Sequence, residues 1–83
     1  MKTRKKLYGN YNIVGRKIEE LRKAKGLKQK DFIAQIQLTG CDINPTSYSK
    51  LEGQLRSATD KELFAIARVL GTTVDSLFEK EDS

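Results

Sequence analysis

The chain has 83 residues, of which 37% are apolar and 33% are charged, so it can bury one small core and fold as a single domain. It contains no histidine and one cysteine, Cys41, which excludes histidine-dependent catalysis, an intrachain disulfide and a cysteine-rich metal cluster. This length leaves no room for a further domain that would bind a small-molecule effector, and the composition favours a compact all-α domain.

The sequence shows neither a signal for export nor a membrane segment. The basic segment over residues 2–6 is followed by Leu7, Tyr8, Gly9 and Asn10, which do not form the apolar core of a secretory signal. The longest apolar run, residues 63–67, is far shorter than the roughly 18 residues that a membrane helix needs. A single cysteine also suits a reducing compartment. We therefore expect a cytoplasmic protein that makes no contact with a membrane.

Positive charge is concentrated at the beginning of the chain. Residues 1–12 carry four bases and no acid, and residues 1–30 together carry a net charge of +9. Residues 31–83 carry a net charge of −4, with acids crowded into the last positions. A cationic surface neutralises phosphates and releases counterions, so this asymmetry is typical of a nucleic-acid binder. A solvated helix face with a polar tail fits the charge equally well, and an anionic membrane would attract the same residues.

Apolar periodicity predicts five helices, which follow a basic arm over residues 1–12. The first helix begins after Asn12, a good N-cap, and ends at Gly26, which suits the left-handed position after a helix. The second helix begins near Gln29, and a connector over residues 38–43 follows it. The residues that these two helices are expected to bury are Val14, Ile18, Leu21, Phe32, Ile33 and Ile36.

Three further helices have their own start signals. The third begins at Asn44 and Pro45, an N-cap side chain followed by a residue that favours the first helical position. The fourth follows Thr59 and Glu62, whose spacing matches a capping box, and a short fifth helix follows Thr73. The residues expected to be buried here are Tyr48, Leu51, Leu63, Ile66, Ala67, Leu70, Leu77 and Phe78.

The chain has glycine, glutamine, arginine and glutamate residues at spacings that the amphipathic pattern of its helices does not by itself explain. They lie in the segments Val14-Gly15-x-Lys17-Ile18-x-x-Leu21-Arg22-x-x-x-Gly26-Leu27-x-Gln29, Tyr48-Ser49-x-Leu51-Glu52 and Leu63-x-x-Ile66-Ala67-x-x-Leu70-Gly71-x-x-x-x-x-Leu77-Phe78. In these positions residues 13–78 resemble the phage-repressor/Cro helix-turn-helix domain, also called the xenobiotic-response-element (XRE) family. The resemblance implies a compact five-helix, lambda-repressor-like domain between the basic arm and an acidic tail over residues 79–83. In this fold the third helix lies in the major groove of double-stranded DNA.

The resemblance also implies roles for individual residues. The candidates for base contact, on the outward side of the third helix, are Pro45, Thr46, Ser47 and Lys50. The candidates for phosphate contact are Lys28, Gln29, Asn44 and Arg56, of which Gln29 matches the phosphate-binding position of the family. Arg22 and Glu52 match a pair that links the first helix to the third in this family.

Each of these roles has a simpler alternative. Lys50 could be only a solvated helix residue, but its place on the exposed side of the third helix favours contact with DNA, where it can donate to guanine in the major groove. The hydroxyls of Thr46 and Ser47 could bond locally in the first turn of the helix. Arg22 and Glu52 could be separate surface charges. The basic arm could track phosphates or enter a minor groove, or it could be a tail without a role.

Three features depart from the usual family pattern. Gln29 and Glu52 are 23 positions apart, so the turn between the second and third helices is extended. Ile33 stands where a small residue is usual, and Lys28 replaces a serine or threonine cap. We therefore expect the second helix to lie further from the third and to lack a side-chain cap. Gly53 also follows Glu52 one place earlier than is typical.

Two classes of function are compatible with the sequence. The leading one is a sequence-specific transcriptional regulator, a repressor, that reads a palindromic operator as a homodimer and lies on the nucleoid when bound. Its two reading helices would then be about 34 Å apart. The alternative is a protein-interaction module on the same fold, such as an antitoxin or a co-activator. An enzyme is least favoured, because there is no phosphate-cradling glycine loop, and we expect neither a cofactor nor a metal.

Overall fold

A computed structural model of the chain describes residues 9–78. It contains five helices, which are α1 (Gly15–Ala24), α2 (Gln29–Leu38), α3 (Pro45–Glu52), α4 (Asp60–Leu70) and α5 (Val74–Leu77). The predicted all-α fold is therefore confirmed. None of the helices in this part of the chain is long and apolar enough to cross a membrane. The first eight residues of the predicted arm and the predicted acidic tail lie outside the described residues.

The side chain of Asn12 bonds to the backbone immediately before the first helix. The Asn12 Oδ1 atom accepts hydrogen bonds from the amides of Val14 and Gly15, at 3.1 and 2.8 Å. At the other end Gly26 has a φ of +73°, and the amide of Leu27 donates to the carbonyl of Arg22 at 3.1 Å. The signal predicted for the end of this helix is confirmed, since a left-handed glycine closes it with a bond back to its last turn. The prediction of Asn12 as the N-cap was wrong, because the N-cap residue is Val14, which makes no side-chain cap bond.

The caps of the later helices follow the sequence closely. The Asn44 side chain accepts from the amide of Ser47 at 2.7 Å, so it caps α3 ahead of Pro45. Thr59 and Glu62 form both halves of the capping box at the start of α4. The exception is α2, whose N-cap residue Lys28 makes no side-chain hydrogen bond, as the departure from the family pattern predicted.

One apolar core lies between the helices. Its buried members are Val14, Ile18, Phe32, Ile33, Ile36, Ile43, Tyr48, Leu51, Ala65, Ile66, Ala67, Leu70 and Leu77. Leu21 and Leu63 are only partly buried and pack against this cluster. The prediction that Phe78 belongs to the core was wrong, because α5 ends at Leu77 and leaves the Phe78 side chain 43% exposed.

The packing around α3 is close on two sides. A Cβ atom at Gly15 would lie 2.6 Å from the carbonyl oxygens of both Leu51 and Glu52, so α1 can approach the end of α3 only because residue 15 is glycine. On the other side, the rings of Phe32 and Tyr48 meet edge to face with centroids 5.6 Å apart. These contacts fix α3 between α1 and α2.

Candidate nucleic-acid interface

Helix α3 divides sharply into a buried side and an exposed side. Tyr48, Leu51 and Glu52 are buried. The exposed side consists of Pro45, Thr46, Ser49 and Lys50, and we call this set the outward row. Three of the four predicted base-contacting residues, Pro45, Thr46 and Lys50, therefore lie on one accessible face.

The exposure of two serines on α3 differs from what the predicted base-contacting set implied. Ser47 is only partly exposed and lies at the edge of the outward row, where its backbone carbonyl accepts a hydrogen bond from Arg56 Nε at 2.9 Å. Ser49 was missing from the predicted site but is exposed between Thr46 and Lys50. Helical spacing was the signal that could have found it, because Ser49 follows Thr46 by three positions.

The buried side of α3 carries an ion pair. Arg22 of α1 donates to both carboxylate oxygens of Glu52, from Nε at 2.8 Å and from Nη2 at 3.1 Å. The Arg22 Nη1 atom donates to the carbonyl of Leu27 at 2.6 Å, and the Tyr48 hydroxyl donates to Glu52. Both charged side chains are about 95% buried, with exposures of 7% and 5%. The structure thus brings together the two residues that the resemblance linked.

The protonation states of this cluster are set by burial and by its hydrogen bonds. Burial opposes ionisation of Glu52, but the hydrogen bonds from Arg22, Tyr48 and Gln29 outweigh it and hold the pKa of the carboxyl below its usual value. Hydrogen bonding to Glu52 raises the pKa of Arg22, and burial is the first cause that raises the pKa of the Tyr48 hydroxyl. The pair is therefore charged at neutral pH and the phenol is neutral.

Gln29 connects this buried cluster to the outward row. Its Nε2 atom donates to Glu52 at 2.9 Å, and its Oε1 atom accepts from the Ser49 hydroxyl at 3.1 Å. Its side-chain amide therefore joins the first turn of α2 to the middle of α3. Helix α2 stays in direct contact with α3 even though the connector between them is extended.

The extended connector is held by the buried side chain of Ile43 and by a hydrogen bond from a side chain of α2 to its backbone. Ile43 is 2% exposed and belongs to the core, and the Gln37 Nε2 atom donates to its carbonyl at 2.7 Å. Cys41 is partly buried, and burial is the main reason why the pKa of its thiol is raised. This anchoring brings the chain back to the Asn44 cap at the beginning of α3.

The predicted phosphate-contacting residues lie in different environments. Lys28 and Asn44 are exposed, just before the first turns of α2 and α3. Arg56 is partly buried and its side chain is occupied by bonds within the protein, since it donates to both oxygens of Glu62 at 2.9 Å and to the carbonyls of Ser47 and Ser57. Phosphate contact by Arg56 stays a prediction, whereas the geometry shows an arginine that ties α3 to α4.

Comparison with known proteins gives a family for this arrangement. A model of the helix-turn-helix family HTH_3 matches residues 18–77, which span all five helices apart from the first turn of α1. No curated protein and no solved structure matches the chain.

Proposed function

Because the chain belongs to the XRE/Cro-like helix-turn-helix family, we propose that it is a transcriptional regulator that reads a specific double-stranded DNA sequence with α3. Family membership supports DNA binding of the transcription-regulator type in general. The sequence-specific reading by particular side chains, the palindromic operator and the repressor role are the further content of this proposal.

The observation that carries the proposal is that the outward row lies on a helix whose opposite side is held by a buried ion pair. Thr46, Ser49 and Lys50 offer two hydroxyls and one ammonium group on a single accessible face. Behind them, the ion pair between Arg22 and Glu52 fixes the rotation of α3 about its axis. Lys50 is suited to the O6 and N7 acceptors of guanine, and the hydroxyls can donate or accept at base edges. Fixed geometry of this kind is needed for discrimination between bases.

Contacts to the DNA backbone would come from the ends of the neighbouring helices. Lys28 is an exposed cation next to the first turn of α2, where no side chain caps the amides. Uncapped amides at a helix N-terminus attract anions, so we assign a phosphate to Lys28 and to the backbone amide of Gln29. Asn44 is exposed at the corresponding end of α3. Such contacts set the register of the helix without reading the sequence.

A homodimer is supported by an apolar surface away from α3. Phe64 and Phe78 are 59% and 43% exposed, and a shallow depression of about 400 Å³ is lined partly by Leu63, Phe64 and Val74. A second copy covering this surface would bury aromatic area that is otherwise in water. Two-fold symmetry would then present two α3 helices to the halves of a palindromic operator. A dimer that occupies an operator can block transcription, which is the basis for proposing a repressor.

Selection from randomised duplexes at a stated salt concentration tests the proposal. The chain should enrich a two-fold symmetric motif, and Lys50→Ala should relax one position in each half-site by about 1–3 kcal/mol. Lys23→Ala is the matched control, since Lys23 is an exposed lysine on α1, outside both the outward row and the proposed dimer surface, and should leave the motif unchanged. Uniform non-specific binding without an enriched motif would contradict the proposal and favour the protein-interaction module.

A further inference from the structure

The side chain of Glu52 accepts hydrogen bonds on both of its oxygens. Arg22 donates to each oxygen, the Tyr48 hydroxyl donates to Oε2, and the Gln29 Nε2 atom donates to Oε1 at 2.9 Å. All of these partners are donors, and a carboxylate that is paired with an arginine has no proton to give. The buried carboxylate therefore only accepts, so it decides which end of the Gln29 side-chain amide faces it.

The contact with Glu52 fixes the orientation of the Gln29 amide. Its nitrogen must face the carboxylate, since its oxygen would meet a second acceptor there. The Oε1 atom is thereby turned toward α3, where the Ser49 hydroxyl oxygen lies 3.1 Å away. An amide oxygen can only accept, so the Ser49 hydroxyl must supply the proton in this bond. The single hydrogen of that hydroxyl is therefore engaged within the protein.

The Ser49 hydroxyl consequently has a fixed hydrogen-bonding character toward solvent. Ser49 is exposed in the outward row, between Thr46 and Lys50. With its hydrogen engaged, its oxygen offers only lone pairs to a molecule that contacts this face. An ordinary serine hydroxyl rotates and serves as donor or acceptor. The neighbouring Lys50 ammonium has three donors and no acceptor, so the two side chains present opposite hydrogen-bonding groups to the same partner.

From this geometry we infer that Ser49 is a specificity-determining residue, which accepts a hydrogen bond from an exocyclic amino group of the DNA, N4 of cytosine or N6 of adenine. Gln29 is its positioning residue, because the bond between the two side chains sets the direction of the hydroxyl. The inference rests on the proposed function and names the chemical group that is read at one position of the operator. The other polar groups on the major-groove edges, N7 of the purines, guanine O6 and thymine O4, are acceptors, to which the Ser49 oxygen cannot bond.

A hydroxyl that only accepts discriminates between bases more strongly than one that rotates. A transition, from A to G or from C to T, puts a carbonyl oxygen where the amino group was. A rotating hydroxyl would turn and donate to that oxygen. The Ser49 hydroxyl would first have to leave Gln29, so after a transition two acceptors face each other or the Gln29 oxygen loses its donor. We therefore expect the position that Ser49 contacts to favour A or C over G or T on the nearer strand.

Base analogues in the selected duplex test the inference with the full chain. The position to modify is the one whose preference changes when Ser49→Ala is taken through the randomised selection. Removal of the amino group alone, by purine in place of adenine or pyrimidin-2-one in place of cytosine, should weaken binding of the unmodified chain by about 3–10-fold, and a transition by about 10-fold or more. Ser49→Ala should be nearly insensitive to both changes. Ser57→Ala is the matched control, since it removes an exposed serine hydroxyl outside α3 and should keep both losses.

Gln29→Met separates the positioning role of Gln29 from a merely structural one. Methionine keeps an unbranched side chain but removes the amide, so the Ser49 hydroxyl becomes free to rotate. The penalty for the transition should then fall by about 3–10-fold, because the hydroxyl can donate to the carbonyl oxygen, while the loss on removal of the amino group should remain. Weaker packing or a lost phosphate contact would lower the affinity for all duplexes alike and leave these ratios unchanged. The analogue measurements on the unmodified chain and on Ser49→Ala decide the acceptor role even if Gln29→Met does not fold.

Two results at the modified position would overturn the inference. The first is a loss of affinity for a 7-deazapurine that Ser49→Ala abolishes, because it would show that the hydroxyl donates to N7. The second is a transition penalty in folded Gln29→Met that equals the penalty in the unmodified chain. An enriched motif in which no position responds to Ser49→Ala would also overturn the inference but would leave the proposed function standing. The absence of any enriched motif would contradict both.

Discussion

Two bidentate arginine–glutamate pairs hold α3, and they differ in how far water reaches them. Arg22 and Glu52 join α1 to α3, with side-chain exposures of 7% and 5%. Arg56 and Glu62 join the segment after α3 to α4, with exposures of 22% and 12%. The same type of ion pair is therefore present once almost completely shielded from solvent and once partly exposed to it.

The two pairs are also satisfied in different ways. Around Glu52 the other partners are the Tyr48 hydroxyl and the Gln29 amide, both from side chains. At Glu62 the carboxylate accepts from the amide of Thr59, and the Thr59 hydroxyl accepts from the Glu62 amide, so this pair is part of the capping box of α4. Water can replace a lost partner at Glu62 but not at Glu52. Burial, rather than the hydrogen-bond geometry, therefore decides how much the stability of the protein depends on each pair.

The largest effect is expected from Glu52→Ala. It would leave the Arg22 guanidinium buried without a counter-charge, and the Tyr48 hydroxyl without an acceptor. Breaking a buried pair in this way should lower the free energy of unfolding by about 3–5 kcal/mol. Urea unfolding monitored by circular dichroism measures the loss.

Glu19→Ala is the control for this experiment. Glu19 lies 3.4 Å from Lys23 in a pair whose side chains are 22% and 66% exposed, one turn apart on α1. Removing an exposed pair of this type should change stability by at most about 0.5 kcal/mol. If Glu52→Ala cost no more than Glu19→Ala, burial would not distinguish the pairs and the comparison would fail.

A smaller effect is expected from Arg56→Lys, which keeps the positive charge but removes the guanidinium group that donates to both oxygens of Glu62. Lysine cannot reproduce the bonds to both Glu62 oxygens together with those to the carbonyls of Ser47 and Ser57. We expect a loss of about 1–3 kcal/mol in the free energy of unfolding, measured by urea. An arginine that served only as a phosphate contact would give the opposite result, with unchanged stability in the lysine variant.

Both pairs should also make the free energy of unfolding depend on pH. Burial opposes ionisation of Glu62 as it does of Glu52, yet hydrogen bonds from Arg56 and from the Thr59 amide hold the pKa of Glu62 below its usual value. A depressed pKa in the folded state means that this stabilisation is complete above the ordinary glutamate value, about 4.5, and is lost as the pH falls through the folded value. Urea midpoints measured from pH 7 to pH 3 should therefore decrease on the acid side.

Glu62→Gln separates the contributions of the two carboxylates. Because glutamine does not titrate, the variant should be less stable at pH 7 and should lose less stability between pH 5 and pH 3 than the unmodified chain. Equal acid sensitivity of the two proteins would assign the pH dependence to Glu52 and to other carboxylates. Identical midpoints at pH 7 and pH 3 in the unmodified chain would contradict the depressed pKa values.

The sequence predicts local structure well because caps are local. Asn44 with Pro45, and Thr59 with Glu62, mark the starts of α3 and α4 within four residues of chain, and the structure confirms both. The core residues of α3 also follow from spacing alone. Phe78 shows where this fails, because the position of a side chain after a four-residue helix depends on tertiary packing and not on periodicity.

The candidate site was predicted less completely, since its contacts join residues far apart in the chain. Nothing in the sequence indicates that Gln29 bonds to Ser49, 20 positions away, or that Arg56 bonds to the carbonyl of Ser47. Asn12 was expected only as a cap, yet it also bonds to the carbonyl of Arg56, 44 positions away. The link between Arg22 and Glu52 came from family resemblance and not from spacing.

The smallest effect on stability is expected from Ser49→Ala, at the point where the buried network reaches the surface. Its hydroxyl is exposed, so water can replace it as a donor to the Gln29 oxygen, and the free energy of unfolding should change by at most about 0.5 kcal/mol. The same substitution removes a hydroxyl from the outward row, so randomised-duplex selection should show a changed preference beside the Lys50 position. A large loss of stability with an unchanged motif would mean that the Ser49 hydroxyl stabilises the fold through its bond to Gln29 and does not contact DNA. Ser49 would then belong with the buried pair of Arg22 and Glu52 rather than with the outward row.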